Sequence, residues 1–139
     1  MQDEALLNSL LEHEVETDFA VGNDLVHIQT FLNSLTPPFI RKVYTEQEVA
    51  YCEAFNDPTL RYASTWSAKE AVYKAIKQLY PDELLAWKKI EIIRKKPSGK
   101  PHVFLHESNV NQNLSLSISH DGSYVWAIAL LRMNQPPEV

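Results

Sequence analysis

The stretch WSAKEAVYK, residues 66–74, sets Lys69 beside Glu70 and places Lys74 four positions after that glutamate. On a helix, a carboxylate and a lysine four apart share a face and form a surface ion pair worth roughly 0.2–0.5 kcal/mol. The same residue types suit a second chemistry. Two facing carboxylates can hold Mg2+, which takes oxygen ligands and keeps waters and substrate phosphates around it. Lysines beside it then bind phosphate oxygens as point charges. Assigning about 100° per residue gathers Ala68, Ala71, Val72, Ala75, Ile76 and Leu79 on one arc, the face to be buried. Glu70, Lys74 and Lys77 fall on the other side between Trp66 and Tyr73, with Lys69 at its edge. A solvated ion pair does not explain two aromatics on the charged face, but the spacing alone leaves both readings open.

The candidate for a second carboxylate is Asp24 in GNDLVHI, at the close of a β-rich stretch holding Phe19, Val21, Leu25 and Val26. Gly22 lets another backbone approach closely there. In LSLSISH, strand alternation sends Ser117 and Ser119 to one face and Ile118 and His120 to the other. His120 is then either a hairpin-end residue making a local hydrogen bond or a member of the site.

Several elements must position these groups. Leu6, Leu7, Leu10 and Leu11 repeat at helical spacing, so residues 1–15 read as a helical N-terminal extension ahead of a domain spanning 16–132. The strand from Phe19 ends close to Asp24, IQTFLNSL is helical, and Pro37-Pro38 stops it. Thr45 and Glu48 form a capping-box signature for a helix reaching roughly Phe55. Asp57-Pro58 supplies the N-cap and first-turn proline of the main helix, which runs to about Leu79. KKIEIIRK, HVFLH, LSLSISH and YVWAIAL follow as strands, with PSGKP as a turn and Asp121-Gly122-Ser123 as a hairpin signal. The expected tail, 133–139, is frayed. A strand, then helices, then several strands imply an α+β fold with an antiparallel sheet packed on a long central helix.

The bulk composition sets limits. The chain has 139 residues, 45% hydrophobic and 22% charged, enough for one domain with its own core. Its apolar runs fall short of the ~20 residues needed to span a bilayer, and no basic-then-apolar leader precedes them, so a soluble, cytoplasmic protein is expected. Cys52 is the single cysteine, which excludes an internal disulfide and fits a reducing compartment. Seven of the 18 acids fall in residues 1–24, which hold no Lys or Arg, leaving 11 acids against 13 bases in the remainder. Lys88, Lys89, Arg94, Lys95, Lys96 and Lys100 gather in one stretch, either a solvated strand and turn or a patch for phosphate or an acidic protein. An acidic chain without a basic stripe interleaved with aromatics is a poor match for nucleic acid.

Taken in order, GNDLVHI, FIRKVYTEQEVAYC, WSAKEAVYKAI, WKKIEII, SGKPHVFLH and LSISHDGSYVWAIAL resemble the holo-acyl-carrier-protein synthase family of 4′-phosphopantetheinyl transferases, across roughly residues 19–131. The resemblance implies Mg2+-dependent transfer of 4′-phosphopantetheine from coenzyme A to a serine of an apo acyl carrier protein, releasing adenosine 3′,5′-bisphosphate. It implies Asp24 and Glu70 as metal ligands, Lys74 on the phosphates with Lys69 nearby, and His120 close to the nucleotide of coenzyme A. With those roles, Glu70 or a metal-bound water near it is the expected base for the serine proton. The small members of the family form trimers with the active site between subunits. Arg41 and Lys42 are docking candidates for the acidic carrier, against a reading as solvent-facing decoration. The pattern departs from the family at Thr30, where an arginine is usual, and at KQLYPDELLAW, which stands in place of a Gly-x-Gly stretch. Other readings are transfer to polyketide or peptide synthase carriers, a non-catalytic nucleotide-binding domain, and a Mg2+-dependent phosphohydrolase. The last ordinarily gathers more carboxylates around two metals.

Overall fold

Asp57 opens the central helix as the sequence predicts: its side chain accepts a hydrogen bond from the Leu60 amide at 3.3 Å, and Pro58 follows it. The computed structural model describes residues 2–15, 18–95, 99–110 and 113–133. In chain order the elements are α1 (Gln2–Val15), β1 (Phe19–His27), α2 (Ile28–Leu32), α3 (Pro37–Val43), α4 (Glu46–Glu53) and α5 (Pro58–Leu79). A 3₁₀ turn (Trp87–Lys89), β2 (Ile90–Ile93), β3 (His102–Leu105), β4 (Leu114–Asp121) and β5 (Tyr124–Arg132) complete them.

The fold is α+β. Antiparallel strands run in the order β1-β5-β4, and β2 and β3 pair antiparallel as a second ribbon. Helix α5 lies across one face of the three-stranded sheet. Alternation supplies that face with Ala20, Gly22, Asp24 and Val26 from β1 and with Val125, Ala127, Ala129 and Leu131 from β5. The helix answers with the predicted arc, in which Ala68, Ala71, Val72, Ala75 and Ile76 are fully buried. Val72 and Ile76 reach a core that includes Ile90, Leu105, Val110, Leu116 and Leu131. Truncating Ile76 to alanine leaves a cavity there, so chemical denaturation of Ile76→Ala is expected to show a loss of about 2–5 kcal/mol.

The small residues on both sides bring α5 very close to β1. A Cβ built on Gly22 would lie 1.9 Å from the Ala71 carbonyl oxygen and 2.7 Å from the Ala75 amide nitrogen. Glycine is required at this position by the helix backbone passing over it. The outer edge of β1 is covered from α5 as well: Gln78 Nε2 donates to Val21 O at 2.8 Å and Lys74 Nζ to Asn23 O at 3.1 Å. Such cover keeps an edge strand from pairing with other chains.

Several expectations need correction. Gly22 and Asn23 do not interrupt β1, whose ladder with β5 continues to His27, so Asp24 sits mid-strand. Pro37 and Pro38 do more than stop the preceding helix: with Thr36 as N-cap they begin α3, where a missing amide costs nothing. The capping box at Thr45 and Glu48 is present, but α4 ends at Glu53. Only Ile90–Ile93 of KKIEIIRK is strand, and the strand expected over YVWAIAL runs on to Arg132. The leading segment is helical, with Leu6, Leu7 and Leu10 exposed. Part of PSGKP and the tail beyond Met133 lie outside the described residues.

Candidate active site

Three of the predicted residues meet where α5 crosses β1. Asp24 is buried, and its backbone carbonyl accepts from Ser67 Oγ at 2.8 Å, tying the strand to the helix one turn before Glu70. Lys74 Nζ donates to Asp24 Oδ1 at 2.9 Å. The lysine therefore pairs across to the strand, and the simple helix-surface pair with Glu70 is replaced. Lys74 keeps much of its side chain in solvent, where it can reach a ligand.

Glu70 faces Asp24. Burial and then the apposed Asp24 carboxylate together push its carboxyl up to about 7, with Lys74 offsetting part of the shift. Oδ2 of Asp24 is buried and receives no donor from any described group. Two carboxylates facing each other with one oxygen unsatisfied need either a proton between them or a cation. Among the described residues no third His, Cys, Asp or Glu joins them. A pair of carboxylates is enough for Mg2+, which fills its other positions with water and phosphate oxygens.

Lys69 is elsewhere. Its side chain is 0% exposed, and Nζ contacts Glu48 Oε1 at 2.8 Å, Trp87 O at 2.8 Å and Ile90 O at 2.6 Å. All three ammonium protons are used inside the protein, so Lys69 has none for a phosphate. That corrects the expectation that it contacts the coenzyme. Burial pulls Lys69 below its ordinary value and pushes Glu48 above its own, and the contact between them opposes both. The two aromatics on the charged face are also accounted for by packing: Trp66 stacks edge-on to Phe39 and Trp87, and Tyr73 lies 5.2 Å from Trp87.

His120 lies outside the carboxylate pair. It projects from β4 to the side shared with Ile118, as alternation predicts, and β5 separates it from Asp24. Two strand spacings make that roughly 10 Å. There it lines a cleft of about 290 Å³ with Tyr51, Arg61, Ser64, Arg94 and Lys95. Arg61 and Ser64 occupy the side of α5 turned away from Glu70. Arg94 stacks over Tyr51 at 4.4 Å and donates to Thr65 Oγ1, while Arg61 stacks over Phe55 at 4.0 Å. Arg61 Nε is buried with no partner among the described groups. Two guanidiniums line this open, polar cleft, and such groups suit an anion. Sequence reading did not single out Arg61, and it left Arg94 within a general basic run. Their convergence depends on α5 meeting β2, which local spacing does not encode.

Arg41 and Lys42 are exposed on α3. Arg41 borders a cleft of about 470 Å³ with Ile40, Tyr44, Val49, Ala50 and Lys88. After α5, where the Gly-x-Gly stretch is missing, Lys77 Nζ donates to Pro81 O at 2.7 Å and Glu83 O at 3.0 Å. One side chain thus organises the turn that follows α5.

A strand aspartate and a helix glutamate and lysine that meet on an α+β frame are a set able to hold a cation with a phosphate beside it. The profile of the 4′-phosphopantetheinyl transferase superfamily matches residues 20–129. A holo-[acyl-carrier-protein] synthase of Chlorobaculum parvum is 37% identical over 115 residues, covering 81% of this chain and 97% of its own. The fatty acid synthase alpha subunit hexA of Dothistroma septosporum is 34% identical over 117 residues, which are 79% of this chain but 7% of that one. The structure of an ACPS-CoA complex from Chronobacterium ammoniagenes superposes with a TM-score of 0.73 at 29% identity, over 84% of this chain and 98% of that one. The chain belongs to the 4′-phosphopantetheinyl transferase superfamily and is an enzyme of that class.

Proposed function

We propose that this chain is a holo-[acyl-carrier-protein] synthase that moves 4′-phosphopantetheine from coenzyme A to a serine of an apo acyl carrier protein, with Mg2+, and releases adenosine 3′,5′-bisphosphate. The observation that carries this reading is the apposed pair of Asp24 and Glu70, with its unsatisfied buried oxygen and Lys74 alongside. Asp24 and Glu70 would hold Mg2+, which when bound supplies positive charge to the coenzyme A pyrophosphate. Lys74 leaves Asp24 to contact a phosphate oxygen and steadies charge on the leaving group. Glu70 is the carboxylate of this chain set to take the proton of the incoming hydroxyl. The nucleotide end would take the cleft of His120, Arg61 and Arg94, where two guanidiniums favour a phosphate.

A carrier of fatty acid synthesis is the preferred partner, since the relatives include a fatty acid synthase subunit as well as a stand-alone synthase. Residues 16–132 would form the transferase domain, with 1–15 as an added helix, in the cytoplasm. No described helix is long and apolar enough to cross a membrane. A homotrimer is supported by the sheet face turned away from α5, where Phe19, Val21, Leu25, Trp126, Ile128 and Leu130 are exposed together. The separation of the carboxylate pair from the His120 cleft supports a coenzyme shared between neighbouring subunits. Chromatography of the reaction should show adenosine 3′,5′-bisphosphate appearing in step with consumption of coenzyme A. Coenzyme consumption that yields a different nucleotide would contradict the proposal.

Two expected results arise here. In metal-free protein the Glu70 carboxyl lies at about 7 against an ordinary 4.5. A raised acid favours the folded state below its unfolded value, and that contribution is lost as pH rises through the folded value. Mg2+ needs the carboxylate, so its binding expels the proton. The Mg2+-dependent rise in melting temperature should therefore be small near about pH 6 and reach its plateau above about pH 7.5. An equal rise at both pH values would contradict this. Second, the Arg41→Glu/Lys42→Glu variant should raise KM for the carrier about tenfold at low salt, with the difference shrinking as salt increases. Steady-state kinetics at two ionic strengths check it, and an unchanged KM would assign both residues to solvent-facing decoration.

A further inference from the structure

Three of the five fully buried residues on the helix face that meets the sheet are alanines, Ala68, Ala71 and Ala75, beside Val72 and Ile76. Small side chains let α5 approach closely, but they form shallow ridges that fix its rotation and axial height only weakly. Directional contacts fix them instead. On the β1 side, Ser67 Oγ holds Asp24 O at 2.8 Å, and the Ala71 carbonyl passes directly over Gly22. On the opposite side, Lys69 Nζ holds Glu48 Oε1 from α4 at 2.8 Å, Trp87 O from the 3₁₀ turn at 2.8 Å and Ile90 O from β2 at 2.6 Å. Residues 67, 69 and 71 thus tie one turn of α5 to both of its neighbours, and Glu70 lies within that turn.

The partners of Lys69 are themselves held. Glu48 Oε1 accepts from the Thr45 amide at 2.9 Å and Oε2 from the Ile92 amide at 2.8 Å. Thr45 Oγ1 donates to Glu91 Oε2 at 2.6 Å, and Glu91 Oε1 meets His106 Nε2 at 3.0 Å. An apolar side chain in place of Lys69 fills the space but leaves these acceptors without the contacts that define one orientation. Buried ionic groups often serve such specificity more than stability.

We propose that Lys69 is a positioning residue for Glu70: its three buried contacts set the rotation and height of α5 and so hold the Glu70 carboxylate against Asp24. The proposal rests on the reading of Asp24 and Glu70 as a cation site. Three full-length variants test it, with Mn2+ as the probe, its binding followed by electron paramagnetic resonance and the fold by circular dichroism and thermal melting. They are Lys69→Met, the charge-neutral double variant Glu48→Gln/Lys69→Met, and Asp24→Asn as a control for the site. The double variant is expected to melt near the parent while binding Mn2+ about tenfold or more weakly, because residues that orient metal ligands typically matter to that degree. Its kcat should fall with carrier KM unchanged. A double variant that is folded and binds Mn2+ as the parent does would overturn the proposal, as would unfolding of both Lys69 variants, since the role would then be to hold the fold. Parental affinity in Asp24→Asn would overturn the cation site itself, and with it the dependent role of Lys69.

Discussion

Glu70→Gln is expected to lower transfer by about a thousandfold or more, since charge placed at a transferring phosphoryl group is among the largest catalytic contributions. The substitution is nearly isosteric and removes one of two apposed carboxylates. In metal-free protein the burial and repulsion that hold the Glu70 carboxyl near 7 then disappear. The variant should accordingly melt at the same temperature as the parent or higher in the absence of Mg2+, and it should lose the gain that Mg2+ confers. Asp24→Asn should match it in activity but not in stability, because that change also weakens the contact with Lys74. Rate measurements paired with melting curves in chelator and in Mg2+ separate these effects. Near-parental transfer by either variant would mean that the metal lies elsewhere.

Gly22→Ala carries the second large effect, for a different reason. The new methyl would stand 1.9 Å from the Ala71 carbonyl, a backbone atom that no rotamer change can move. Helix and strand must separate by roughly 1 Å or more to restore van der Waals contact, and Asp24 and Glu70 ride on the two sides of that gap. Displacement of about 1 Å at a reacting centre can cost about a hundredfold in rate. Overpacking of this kind costs roughly 1–3 kcal/mol in stability. Gly22→Ala should thus lose both activity and stability, whereas Glu70→Gln loses activity alone. A Gly22→Ala protein with parental activity would show that the close approach does not position the site.

The parts of this arrangement that were legible in the sequence are those written in local patterns. Asp57-Pro58, the Thr45–Glu48 box and the alanine arc of α5 each state their own structure within a few residues. Asp24, Glu70 and Lys74 were recognisable as a set only through the resemblance to a family, since their spacing left two readings open, and the fold brings them together. Lys69 was misplaced because it neighbours Glu70 in sequence while its partners, Glu48, Trp87 and Ile90, come from segments about twenty residues to either side. A charged side chain reads as exposed unless its buried counter-charge is known. The aromatic cluster of Trp66, Phe39 and Trp87 was hidden for the same reason. Arg61 and Arg94 join only when α5 and β2 pack, and neither position carries a local mark of that meeting.

The most direct test of the proposed function is the intact mass of an apo acyl carrier protein after incubation with the full-length chain, coenzyme A and Mg2+. The account predicts a gain equal to one 4′-phosphopantetheine on the carrier serine, abolished by chelator and by Glu70→Gln. Unchanged mass across several apo carriers, with the enzyme folded and Mg2+ present, would contradict it.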